Sequence, residues 1–454
     1  MEAGAAPVGI VALALGVGEG LERWAREHRE ATLEEHERGV LELMRRHLGR
    51  LLGAVLEEAL GLNQPAARRL RSGCPDCGSR SRPHEWRQRE LLTVCGPAVV
   101  RRPYYYCAPC RRGWAPADAA LGIAPYQELS VGLRAWAAWL GALEPPRRAA
   151  QVLEELSGVA VAAETVRQEA TAAGLALADA QERAAAEVGR SGEAGGPLET
   201  APATLVVEAD GVQVRYLTGW HEAKVGLVAG CRPGEPHRLE APSYVAARGT
   251  PEQFGPLWLA EAAHRGALEV VSWHGEVTGP NLAQLREVVV LGDGAPWIWN
   301  LAAEHFGRRT EIVDWYHAAE HLWTLGRALH GATGPHTATW VGRARTLLWH
   351  RGAERRLPHL QRTRATTTEA VEALRLARGY FRSNAGRMAY PTFRAQGLPV
   401  GSGAVESAAK HVVQQRMKRA GMRWGDDGGR ALLALCAHVA SARPLRPILK
   451  AMAA

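Results

Sequence analysis

Membrane-length apolar runs are missing from this 454-residue chain. The one apolar stretch near its start, residues 3–17, has no basic segment ahead of it, contains Pro7 and is too short for a spanning helix. It is expected to be a tail or a short packed helix and not a targeting segment. An even set of cysteines is missing as well. There are seven, and an odd number in so long a chain argues against a secreted disulfide scaffold. Nor is there an excess of acid: 55 Lys and Arg stand against 47 Asp and Glu, a formal net charge of +8. That balance favours an anionic partner without deciding between nucleic acid and membrane. A soluble, cytoplasmic protein follows, long enough for roughly two to four domains and at least one large core.

What is present begins with helix formers over residues 21–62. Glu34/Arg38 and Glu42/Arg46 pair at i,i+4, and Leu41, Met44, Leu48, Leu51 and Val55 follow an alternating three-four spacing. That seam is only about two heptads long, so an ordinary packed helix and a dimerisation helix both fit it. Two CxxC pairs come next, Cys74-Pro75-Asp76-Cys77 and Cys107-Ala108-Pro109-Cys110. Each makes a knuckle that points two thiolates at one place, and two knuckles complete a tetrahedral zinc site. Strand-like pieces at 90–94 and 99–106 lie between them, the outline of a zinc ribbon over residues 71–118. With Cys74, Cys77, Cys107 and Cys110 filling all four positions, the zinc would be structural. Cys95 is left over as a core residue. Arg101, Arg102, Arg111 and Arg112, with Tyr104 to Tyr106, make a basic aromatic rim that fits either DNA or solvent.

Within residues 119–190, the stretch 128–174 reads as all helical, with a break at Pro145-Pro146 and a turn at Gly158. Helix, glycine turn and second helix match a helix-turn-helix. Glu164-Thr165-Val166-Arg167-Gln168 would open its recognition helix, leaving Thr165, Arg167 and Gln168 free to reach bases. Residues 191–202, rich in Gly, Pro and small side chains, are expected to be a linker. Beyond them the period changes. Apolar runs at 204–212, 287–294 and 309–317 have the character of buried strands, alternating with helical stretches, which places the region in the α/β class. Residues 328–400 return to a helical pattern.

Asp210 and Asp293 each sit where an apolar strand is expected to end, the side of an α/β sheet that gathers ligand-binding residues. Asp-Gly is also a common way to leave a strand through a turn. A third carboxylate, Glu406, opens the glycine-flanked helix that begins at Gly401-Ser402-Gly403. Three such groups meeting at one sheet edge can hold two divalent cations roughly 3.5–4 Å apart, the arrangement used for in-line phosphoryl transfer. Oxygen ligands suit Mg²⁺ or Mn²⁺.

Asp210-Gly211, Gly292-Asp293-Gly294-Ala295 with Trp297, Asp314-Trp315-Tyr316-His317, and Gly401-Ser402-Gly403 with Glu406 through Met422-Arg423-Trp424 resemble the ISKra family of bacterial insertion-sequence transposases. These are DDE enzymes with an RNase H-like catalytic domain, akin to the Mutator-like group. The resemblance runs over residues 204–424 and is most specific from Gly401 to Trp424. It implies a multidomain α/β chain whose RNase H-like core (203–327 and 401–454) carries a helical insertion (328–400). The core would be preceded by an N-terminal helical region (19–70), the ribbon and the helix-turn-helix. It further implies Asp210, Asp293 and Glu406 as catalytic ligands of two Mg²⁺ or Mn²⁺ ions, with Asp314 and His317 as the supporting C/DxxH motif. Asp314 as a metal ligand stays open. The expected partners are transposon-end inverted repeats and target DNA, bound by a homodimer or higher oligomer. A zinc-ribbon regulator without catalysis and an RNase H-like nuclease or resolvase are the alternatives. On the helix opened by Gly401, Glu406, Lys410, Gln414 and Lys418 fall at i,i+4 steps. They are expected to share one face toward DNA phosphates.

Overall fold

The computed structural model describes residues 9–64, 67, 70–191, 204–231, 238–266, 268–273, 280–284, 287–332, 334–401 and 403–452. By internal contacts the chain divides into two units, one of residues 1–173 with 444–454 and one of residues 174–443.

The first unit starts with helices α1 (Ile10–Glu27) and α2 (Leu33–Ala59). The expected single helical stretch is thus split. Thr32 begins α2 with a capping box, its backbone N–H donating to Glu35 Oε2 at 2.7 Å and its hydroxyl accepting from Glu35 N at 3.4 Å. Strands β1 (Ser72–Gly73) and β2 (Arg80–Ser81) pair with each other. β3 (Glu85–Thr93), β4 (Gly96–Cys107) and β5 (Arg112–Trp114) form a three-stranded antiparallel sheet. α2 lies on β4 through glycines. A Cβ on Gly49 would overlap the Pro97 carbonyl oxygen, and one on Gly53 the Val99 carbonyl oxygen. The expected heptad seam does not form a buried stripe, since Leu41 is 52% and Val55 45% exposed. The close approach of the two backbones turns α2 about its glycines, not about its leucines.

Helices α3 (Pro116–Ala120), α4 (Val131–Leu143), α5 (Pro146–Ser157) and α6 (Ala163–Ser191) follow. Gly158, at φ 72°, ends α5 in the left-handed conformation that glycine adopts freely. Leu133, Ala137, Leu140, Ala149, Leu153, Val159 and Val166 make a small core between the helices. α6 is longer than a recognition helix needs, and from Gly174 onward it packs within the second unit. Its last residue, Ser191, falls in the expected linker, whose remaining residues lie outside the described residues.

In the second unit β6 (Thr204–Tyr216), β7 (Gly219–Cys231) and β8 (Leu239–Arg248) make an antiparallel meander, followed by α7 (Pro251–His264). A separate antiparallel pair, β9 (Leu268–Trp273) and β10 (Pro280–Gln284), precedes β11 (Glu287–Gly292), α8 (Pro296–His305) and β12 (Arg309–Val313). The five-stranded sheet runs β12-β11-β6-β7-β8, with β11 parallel to both β6 and β12. It is a mixed sheet in a mixed α/β unit. Leu205, Val207, Val288, Val290, Leu291 and Ile312 bury its centre against Phe254, Trp258, Phe306 and others.

The helical stretch after β12 is α9 (Trp315–His330), α10 (Pro335–Arg362, kinked at Gly352), α11 (Thr368–Ser383) and α12 (Tyr390–Ala395). α13 (Gly403–Ala408), a π-helical turn (Ala409–Gln414) and α14 (Gln415–Met417) lead to α15 (Asp426–Ala440), which packs on β8. α16 (Arg446–Ala451) packs on α4 in the first unit, so the expected C-terminal part of the core ends earlier than residue 454. Among the described residues no helix is long and apolar enough to cross a membrane.

Candidate active site

Cys74, Cys77, Cys107 and Cys110 bring one sulfur each to within 4.8 Å of one another and can hold a metal ion. The knuckles that do this are local. Gly78, at φ 72°, donates its N–H to the Cys74 carbonyl at 2.9 Å, and Cys107 ends β4. The Ser79 hydroxyl and backbone hold the Cys77 thiol down at about 6, while the neighbouring Cys77 sulfur pushes Cys110 up to about 12. Four thiols that compete for charge in so small a volume are the donor set a tetrahedral zinc neutralises. The rim around them is less free than its sequence suggests. Arg102 is buried and forks onto Asp118, with both bonds at 2.8 Å, Arg112 pairs with Asp76, and Tyr105 is buried. Arg101 and Arg87 remain near the surface, lying over the Trp86 and Tyr104 rings.

The acidic groups of the second unit come from four segments. Asp210 does not end a strand in a turn, as its Asp-Gly pair suggested. It lies within the 13-residue β6, opposite Val225, and the hairpin forms later, after Tyr216. A Cβ on Gly211 would overlap the Glu222 carboxylate, the far end of a side chain that is free to shift. Asp293 does follow its strand directly, and its Oδ1 accepts from Ala295 N at 2.8 Å. Asp314 follows β12 and caps α9, accepting from His317 N at 2.8 Å. Its Oδ1 also meets His317 Nδ1 at 3.2 Å. Glu406 stands in the first turn of α13.

These groups form one electrostatic cluster. Burial raises the Asp210 carboxyl, as do the Asp293 and Glu406 charges, against the Gly211 N–H and His317, which lower it. The hydrogen bond to Asp314 is the main reason His317 is pushed up to about 9, with Asp293 and Glu406 adding to it. The tightest set is Asp314, His317 and Glu406, which present ligand atoms within 4.8 Å of one another and can hold a metal. Glu406 was expected as a ligand, whereas Asp314 and His317 were expected in a supporting position. With Nδ1 engaged by Asp314, the ring nitrogen left to a cation is Nε2.

Glu208 was not singled out by sequence reasoning. It is 1% exposed, two residues before Asp210 and on the same strand face, and its Oε2 accepts from Val405 N at 2.8 Å. Burial pushes it up to about 8, with Asp314 and Glu406 adding to the shift. The available signal was a carboxylate inside an apolar strand at i−2 from a candidate ligand. Tyr380, whose hydroxyl donates to the Asp293 carbonyl at 2.8 Å, had no such signal.

The return of the chain to this site rests on one glycine of the expected two. A Cβ on Gly401 would lie 3.2 Å from the Tyr316 ring, and Val400 O accepts from Trp315 N at 2.9 Å, so the backbones meet closely here. Gly403 faces open space, and Ser402 lies outside the described residues. The helix that follows is not one unbroken amphipathic element. The π-helical turn takes more residues per revolution, so the i,i+4 steps from Glu406 do not keep Lys410, Gln414 and Lys418 on one face. Lys410 and Lys418 are exposed and Gln414 half-buried, and Lys418 lies past the last helical residue. The apolar face is buried as expected, through Val405, Ala408, Ala409, Val412 and Val413. Trp424 then bonds on either side of Tyr216 at the end of β6, donating to Arg215 O and accepting from Leu217 N.

In the first unit Thr165 is half-buried, and Arg167 and Gln168 are exposed at the start of α6. Both exposed side chains lean on Glu164, Arg167 Nε at 2.8 Å and Gln168 Nε2 at 3.2 Å. No protein-family model and no curated protein matches the chain.

Proposed function

We propose that the chain is a DDE-type DNA transposase that binds insertion-sequence ends and catalyses strand cleavage and transfer. One observation carries this: α13 returns after the helical block and brings Glu406 within metal-holding reach of Asp314 and His317, with the charges of Asp210 and Asp293 close enough to be felt. The Val405–Glu208 bond that seats it joins residues 197 apart. An antiparallel meander continued by two parallel strands, with a helical block before the last acidic helix, agrees with an RNase H-like core carrying an insertion. The donor set fits hard divalent cations. Its carboxylates are half-buried or buried, the Asp293 and Glu406 charges raise the Asp210 carboxyl, and a positive ion placed between them would offset that repulsion.

Mg²⁺ or Mn²⁺ held by Asp210, Asp293 and Glu406, with Asp314 and His317 alongside, would supply Lewis acidity to phosphoryl transfer. Asp314 fixes the tautomer and orientation of the His317 ring. The α5–α6 pair, with Thr165, Arg167 and Gln168, would read the transposon ends. Lys410, Gln414 and Lys418 would contact phosphates, and the ribbon zinc would keep the first unit folded. Joining two ends calls for a dimer or larger assembly on DNA, in the cytoplasm.

The test is metal-dependent nicking of a duplex bearing the inverted repeats that flank the gene. D210A and E406Q should each lower cleavage by at least about a hundredfold while end binding in a gel-shift assay stays near wild type. Binding without cleavage by the unmodified chain would favour a regulator, and nicking indifferent to the repeats would favour a nuclease or resolvase.

A further inference from the structure

We propose that Tyr380, carried by α11 of the helical block, is a positioning residue for Asp293. The proposal rests on reading Asp293 as a cation-holding residue. Three contacts define the role. The Tyr380 hydroxyl donates to the Asp293 main-chain carbonyl at 2.8 Å. Its ring stacks on His321 with centroids 3.7 Å apart and planes 24° from parallel. The same ring covers Gly294, where an added Cβ would lie 2.6 Å from it.

These contacts bear on the one site carboxylate that stands on a turn. Asp210 is inside a paired strand and Asp314 caps a helix, so their backbones are held by the ladder and by α9. Asp293 follows the last residue of β11 and precedes Gly294, whose φ of 104° lies where glycine alone is unstrained. Among the described residues its side chain bonds within its own turn, to Ala295 N. The Tyr380 hydrogen bond anchors the carbonyl of that turn from the helical block, outside the turn itself. His321 lies one helical turn beyond His317 on α9, so the stacked ring also joins the Asp293 turn to the helix that presents His317. The helical block thereby acts on the metal-holding geometry itself. Tyr380 touches no reacting atom in this scheme; it acts through Asp293.

Mn²⁺ binding to the zinc-loaded full-length chain, measured by calorimetry, tests this without requiring turnover. Y380F keeps the ring and its stacking while removing the hydroxyl, and it should weaken Mn²⁺ binding about ten- to a hundredfold. On a cleavable DNA substrate Y380F should lower kcat and leave the KM for DNA unchanged, a split that general loosening of the fold would not produce. Wild-type Mn²⁺ affinity in Y380F alongside a loss in D293N overturns the proposal alone. Wild-type affinity in both overturns it together with the reading of Asp293 as a ligand.

Discussion

A carboxylate buried in a strand is costly unless something satisfies it, and Glu208 is satisfied by the backbone N–H of Val405. That bond fixes the start of the helix whose next residue is Glu406. Glutamine at 208 retains an acceptor oxygen in the same place and leucine does not. E208Q should therefore bind Mn²⁺ within about threefold of wild type, while E208L loses at least about tenfold with the second unit still folded by circular dichroism. Equal binding by both variants would make Glu208 irrelevant to the site. Asp210, Asp293 and Glu406 could be picked out as residues because carboxylates at expected strand ends and helix starts are visible in one dimension. Glu208 was hidden among the apolar residues of its strand. Tyr380 was hidden because its partner is 87 positions away.

Glycines set how closely elements approach. Gly49 and Gly53 let α2 lie on the carbonyls of β4. G49A or G53A should force the helix off the strand and cost the first unit about 1–3 kcal/mol or more, read from urea denaturation. Unchanged midpoints would show that α2 moves without penalty. The sequence pattern suggested a leucine seam on this helix because periodicity reports which residues are apolar and not which side a neighbouring backbone comes from. Something similar happened after Glu406. The i,i+4 spacing was real in the sequence, but the π-helical turn, on which Val412 and Val413 are buried, broke its register.

For the whole molecule, the two units can be tested separately by removing the ribbon metal. Chelation, or C74S, should lower the thermal stability of the first unit and weaken DNA binding at least about tenfold, while Mn²⁺ binding by the carboxylates persists. Undiminished DNA binding after confirmed zinc loss would take the ribbon out of recognition. The expected linker did not mark the division between units. α6 crosses it without a break, its second half held by Arg430 pairing with Asp179 and Glu182 and by the tight fit of Gly174 on Ala431. Linker composition is a local property, whereas the division follows where long-range contacts fall.

The sequence by itself determined the knuckles, the alternation of strands and helices, the order of the carboxylates and the helical block, because each depends on neighbouring residues or on a period of two or 3.6. Tertiary structure decided that β6 runs on past Asp210, that Asp314 and His317 meet Glu406, that Glu208 seats α13 and that Tyr380 reaches Asp293. Those are contacts between segments far apart in the chain, set by the sheet order and by packing around it, and no local pattern encodes them.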